Sequence, residues 1–223
     1  MGRVNLADLG AGNAAALRAA APPQMTRARV RFASQNEHKL RELRELLPGW
    51  EIEPLAVNSM PEETGLTFYE NASAKARFGR TVSEPDVWVL GEDSGLEVRG
   101  LSGAPGIRSA RYAGPGASDE DNVAKLLAEL EGSQGDARRA RYVSELVCLA
   151  PGREELRGSG VLEGRIAEEP RGSGGFGYDP VFIPDGQNQT VAELGDEWKR
   201  EWSHRARAAA ALRDAVGEAA EAL

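Results

Sequence analysis

Two adjacent carboxylates, Glu92 and Asp93, follow the apolar run Val87-Trp88-Val89-Leu90 and sit between Gly91 and Gly95. The glycines read as the bounds of a turn, with Leu96-Glu97-Val98 returning as a strand. A second acidic pair, Glu62-Glu63, precedes Thr64-Gly65. Magnesium prefers carboxylate and phosphate oxygens and keeps several waters, so acids on two turns could hold one ion against a triphosphate while a third orients water. Acids in turns are usually just solvated. Asp93 differs because it comes straight after an apolar run, which places it at a sheet edge or cleft.

Three other blocks carry complementary chemistry. Ser34-Gln35-Asn36-Glu37-His38-Lys39 lies between the strand-like Val30-Arg31-Phe32-Ala33 and a helical stripe of leucines at 40, 43, 46 and 47. Free N–H groups at a helix start favour phosphate, and Lys39 adds a point charge. The block is not a Walker A loop, and by itself it also reads as a helix capped by Asn36 with a solvated lysine. Gly174-Gly175-Phe176-Gly177-Tyr178-Asp179-Pro180 holds two aromatics between glycines, which lets backbone approach a ligand while a ring lies flat against a base. Asp179 could accept a ring N–H of that base. Lys199, His204 and Arg205 flank the start of the last helix, where they could reach phosphate or a purine oxygen; a surface charge cluster is the plainer alternative.

These residues need a scaffold. The chain has 223 residues, 41% of them hydrophobic, enough for a core, with 27 basic against 35 acidic side chains and a net charge of -8. That balance disfavours a nucleic-acid coat or an anionic membrane surface, but not a free nucleotide held through a metal. No apolar run approaches a membrane span, and Asp8 and Arg18 interrupt the alanine-rich start before a signal-peptide core can form, so a cytoplasmic protein is expected. Residues 1–25 read as a disordered extension or an over-long gene start, and 26–223 as one domain. The lone Cys148, between Val147 and Leu149, reads as a buried core residue.

Thr67 and Glu70 have capping-box spacing ahead of an alanine-rich helix to Arg80, on which Asn71 and Lys75 share a face. Gly103-Ala104-Pro105-Gly106 reads as a tight loop. Ser118-Asp119-Glu120-Asp121 caps a helix whose buried side is Val123, Leu126, Leu127 and Leu130. Residues 142–150 and 155–162 flank Pro151-Gly152 as a hairpin, Val181-Phe182-Ile183 is a further strand, and Ser203 caps a last helix with Leu212, Val216 and Ala220 inward. Helices interleaved with hairpin and crossover strands predict an α/β fold with a mixed sheet.

Six blocks in this order resemble the inosine/xanthosine triphosphate pyrophosphatase family: Ser34-Gln35-Asn36-x-x-Lys39, the stretch from Glu62 to Ala72, Asp93-Ser94-Gly95-Leu96, Gly103-Ala104-Pro105-Gly106, Gly175 to Pro180, and Ser203-His204-Arg205. The resemblance runs from about Arg29 to the last helix. It implies an elongated two-lobed α/β fold with a long curved mixed sheet, a cleft between the lobes and a homodimer. It also implies magnesium-dependent hydrolysis of a non-standard purine nucleoside triphosphate to monophosphate and pyrophosphate. Carried over, Ser34, Gln35, Asn36, Glu37, His38 and Lys39 form the triphosphate loop, Glu62 and Asp93 bind metal, Asp93 is the general base and Ser94 touches substrate. Phe176, Gly177, Tyr178, Asp179, Lys199, His204 and Arg205 match the purine-recognition set. Gln35 and His38 depart from the pattern, standing where glycine is frequent, as does Glu92, where a second aspartate is common. A relative that polices modified pyrimidine or methylated nucleotides, and a nucleotide sensor without turnover, are the competing readings.

Overall fold

The computed structural model describes residues 28–152 and 155–221. The proposed amino-terminal extension lies outside the described residues, as does the side chain of Ala220. Six strands form one sheet in the order β2-β1-β3-β4-β5-β6: β1 (Ala28–Phe32), β2 (Trp50–Pro54), β3 (Trp88–Val98), β4 (Arg139–Leu149), β5 (Glu155–Ile166) and β6 (Phe182–Pro184). β1 runs parallel to both β2 and β3, and the remaining pairs are antiparallel, so the sheet is mixed as expected.

Among the described residues five α-helices flank it: α1 (Glu37–Leu46), α2 (Phe68–Val82), α3 (Asp119–Glu129), α4 (Val191–Trp202) and α5 (His204–Glu221). Local chemistry sets their starts. Asn36 caps α1 by accepting from the Lys39 amide, and Thr67–Glu70, Ser118–Asp121 and Thr190–Glu193 form reciprocal capping boxes on α2, α3 and α4. Ser203 Oγ accepts from the Ala206 amide at the start of α5. Two elements were not anticipated. β2 alternates one buried residue, Ile52, with charged neighbours, and α4 is broken by Gly195, whose positive φ interrupts its periodicity.

The main correction concerns residues 91–95. They form no turn; β3 runs unbroken through them and pairs with β4 from Val89↔Leu149 to Val98↔Ala140. The two glycines serve close approach instead. A Cβ on Gly91 would strike the Ala72 carbonyl and Ala76 amide of α2, and one on Gly95 would strike Ser109 and the Gly106 carbonyl.

A continuous strand sends successive side chains to opposite faces. On one face β3 presents Leu90, Glu92, Ser94 and Leu96, opposite Cys148, Leu146, Ser144 and Tyr142 of β4. Leu90, Leu146 and Cys148 join an apolar cluster with α1 and α5, whereas Leu96 and Tyr142 join a second with α3 and β6. Glu92, Ser94 and Ser144 therefore make a polar interruption between two cores. On the opposite face Val89, Gly91, Asp93 and Gly95 lie under α2. Cys148 is buried, and burial pushes its thiol well above the usual range.

Candidate active site

Glu92 is fully buried, a costly place for a carboxylate unless it is paired. Lys39 Nζ lies 2.7 Å from Oε2, and the Arg205 guanidinium reaches Oε1 at 3.1 Å. Burial opposes the charge, yet these two cations hold the Glu92 carboxyl far below the usual carboxylate range. Arg205 is equally buried; its Nη2 also donates to Ser94 Oγ at 2.9 Å and its Nη1 pairs with Glu42. Glu42 in turn receives Lys199 at 2.6 Å, and Lys199 reaches Asp179 at 2.8 Å. Lys39, Glu92, Arg205, Glu42, Lys199 and Asp179 thus form one chain of alternating charge from the 34–39 loop to the 174–180 loop. Sequence reasoning missed Glu42; its signal was the spacing of three from Lys39, which puts both on one side of α1.

Asp179 has partners on both oxygens. Oδ2 accepts from the Phe176 amide at 3.0 Å as well as from Lys199, and Oδ1 accepts from the Tyr142 hydroxyl at 3.3 Å. Its principal job is to shape the loop that carries it. Gly175 and Gly177 have positive φ there, and the Gly177 amide donates to Asp119 Oδ2 at 2.6 Å. Tyr178 is buried, its hydroxyl donating to the Ser109 carbonyl at 2.9 Å. The Phe176 ring has Lys199 Nζ 4.7 Å from its centroid.

A cleft open at its mouth is lined by Asn36, Lys39, Ser94, Phe176, His204 and Arg205 among others. His204 stacks on Tyr142 with centroids 4.5 Å apart and an 8° interplanar angle. Burial pushes its pKa well below the usual range, helped by Arg205 and Lys199, so the imidazole is neutral. Its Nδ1 has no hydrogen-bond partner, an unmet polar atom in a residue that lines the cleft. Ser34 accepts from the Asn36 amide at 3.2 Å, Gln35 and Glu37 are exposed, and His38 is exposed with its ring against Phe176.

Asp93 occupies the other face of β3. Oδ1 accepts from Lys75 at 3.0 Å and Oδ2 from Asn71 Nδ2 at 3.2 Å, both from the α2 face foreseen in the sequence. Burial raises the Asp93 pKa; Lys75 and Lys39 oppose this, Glu63 and Glu92 reinforce it, and the balance leaves it raised. Lys75 also reaches the Glu92 carbonyl at 3.1 Å and Glu63 Oε1 at 2.6 Å. Glu63 is completed by Arg111 at 2.6 Å. Glu63, not the expected Glu62, is the acid that reaches this cluster. Glu62 is exposed, because Asn71 Oδ1 receives the Gly65 amide at 2.9 Å and pins the 62–65 stretch with only one of the two acids inward.

The fold and this site define a class: a mixed α/β protein with a charged, aromatic-walled cleft on one face of a central strand and a carboxylate–lysine cluster on the other. The chain belongs to the Ham1 family, whose model matches residues 30–215. It is 48% identical over 185 residues to the dITP/XTP pyrophosphatase of Bdellovibrio bacteriovorus, covering 79% of this chain and 92% of that one. It is 42% identical over 180 residues to the dITP/XTP pyrophosphatase of Bacillus subtilis, covering 78% and 90%. Among solved structures, the Ham1 protein of Staphylococcus aureus superposes with a TM-score of 0.76 at 37% identity, over 86% of this chain and 99% of that one.

Proposed function

We propose that this protein hydrolyses non-standard purine nucleoside triphosphates (dITP/ITP and XTP/dXTP) to the monophosphate and pyrophosphate. The relatives named dITP/XTP pyrophosphatase support the reading. The observation that carries it within the molecule is the pairing of two arrangements across β3. Asp93, with a raised pKa and a lysine at its side, directly precedes Ser94, which lines a cleft together with Lys39, Phe176, His204 and Arg205.

Attack on the α-phosphorus makes pyrophosphate the leaving group, whose charge must be neutralised while a carboxylate directs water. Lys39 and the 34–39 loop bind the triphosphate, Asp93 takes the proton of the attacking water, and Lys75 holds Asp93 in place. Glu63 and Asp93 fit a magnesium ion: they are hard carboxylates that converge on one cation, the Lys75 ammonium, and magnesium is commonly held by one or two carboxylates plus substrate phosphates. When bound, magnesium would neutralise phosphate oxygens. Hypoxanthine and xanthine carry a 6-oxo group and an N1–H where adenine offers an amine and a lone pair. A neutral His204 and a fixed Arg205 therefore discriminate by leaving polar groups unpaired against adenine.

The same reading includes a single domain over 26–223, two lobes with the site between them, a homodimer and a cytoplasmic location; no helix among the described residues is long and apolar enough to cross a membrane. The test is pyrophosphate release from dITP, XTP, dGTP, dATP and dTTP, each with and without magnesium. Metal-dependent specificity constants highest for dITP and XTP are expected. Equal rates on dATP or dTTP, or no release from any substrate, would reject the reading.

A further inference from the structure

His38 is the second residue of α1, one position before Lys39, and its exposed ring stacks on Phe176 with centroids 5.1 Å apart and planes 18° apart. That is offset-stacked aromatic geometry. The two residues are 138 positions apart in the chain, and they bring the 34–39 loop against the 174–180 loop. Phe176 lines the cleft, and its ring also has Lys199 Nζ 4.7 Å and the Arg205 guanidinium carbon 5.6 Å from its centroid. The loop backbone around Phe176 is held by Asp179 and Asp119, but the only aromatic ring that stacks on Phe176 among the described residues is His38.

We infer that His38 is a positioning residue for purine recognition: it braces Phe176 and couples the triphosphate loop to the base wall. This rests on the proposed function and deepens it, because it moves His38 from the phosphate-contacting set to the base-recognition set. A ring free to turn on its χ angles presents a flat face to a base only part of the time, and a stacked neighbour removes that freedom without touching the ligand. Loss of the brace weakens binding of anything with a purine and leaves binding of a bare phosphate chain unchanged. It raises KM while kcat stays near its original value, the signature of lost uniform binding.

The test compares wild type, His38→Ala and His38→Phe for dITP turnover, for competitive inhibition by inorganic tripolyphosphate, and for inosine binding by calorimetry. His38→Ala should raise the dITP KM about 3- to 10-fold and weaken inosine similarly, an aromatic pair's usual contribution. Its tripolyphosphate inhibition should match wild type, and His38→Phe should restore KM. An unchanged KM, equal weakening of tripolyphosphate, or failure of Phe to restore binding would overturn the inference. A lower KM in His38→Ala would also overturn it, by showing that the imidazole covers the face the base needs. Wild-type protein that neither turns over dITP nor binds inosine would overturn the functional reading itself, an outcome distinct from turnover with an indifferent His38.

Discussion

Glu92 and Asp93 are neighbours on one strand, both buried, and their environments push them in opposite directions. Glu92 faces two cations within 3.1 Å, Lys39 and Arg205, and its pKa falls despite complete burial. Asp93 is raised first by burial; Lys75, whose ammonium it shares with Glu63, and Lys39 oppose this, Glu63 and Glu92 add to it, and its pKa rises. The pleat alone assigns them to different faces, and the count of cations on each face assigns the work. A carboxylate held between two cations is a structural hub, whereas one with a raised pKa and a single shared lysine can accept a proton.

The largest expected effect is on the Asp93 side. Asp93→Asn should lower dITP turnover by about 10³-fold, in the range of a lost general base, with the thermal midpoint nearly unchanged. Near-normal turnover would remove Asp93 from both the base and the metal role. Second, Glu63→Gln should weaken the apparent magnesium requirement constant by about 10-fold, a typical loss for a carboxylate supporting a metal, while Glu62→Gln leaves it alone. Metal titrations of activity would separate them, and a larger effect at Glu62 would reverse the correction made from the structure.

Lys39→Ala should raise the triphosphate KM several-fold and also cost stability, because it strips one of the two cations from Glu92. An unchanged KM would return Lys39 to a purely structural place in the charge chain. The smallest effect concerns pH. His204 has a folded pKa below its ordinary 6.5, so the unfolded chain takes up the proton first. The neutral form thus contributes stability above about pH 6.5, and that contribution is lost as pH falls toward the folded pKa. Thermal midpoints from pH 7 to 5 should fall more steeply for wild type than for His204→Gln; parallel curves would mean the imidazole is not held neutral.

Much of this arrangement could be read in the residues. The starts of α1, α2 and α3 are plain in the residues, where an Asn, Thr or Ser has its partner three positions on, and Asn71 and Lys75 announce a shared face because helical spacing is local. Residues 91–95 read as a turn rather than as the middle of β3 because Gly91 and Gly95 answer to α2 and to the 106–109 stretch, neighbours that are distant in sequence. Glu63 could not be chosen over Glu62 for a similar reason, since the choice depends on where Lys75 and Arg111 arrive. Glu42 and α4 were overlooked because one is a charged residue on an otherwise ordinary helix face and the other is interrupted at Gly195.

The contrast across β3 is tested most directly by making Glu92→Gln and Asp93→Asn side by side and recording pyrophosphate release from dITP and the thermal midpoint of each. Removing one partner from a buried ionic cluster costs about 3–5 kcal/mol, so Glu92→Gln should lower the midpoint by about 10 °C, while Asp93→Asn neutralises a carboxylate whose pKa is already raised and leaves Lys75 paired with Glu63, so it should keep its midpoint and lose turnover. The opposite pattern, a stable Glu92→Gln without turnover beside an unstable but active Asp93→Asn, would contradict the account.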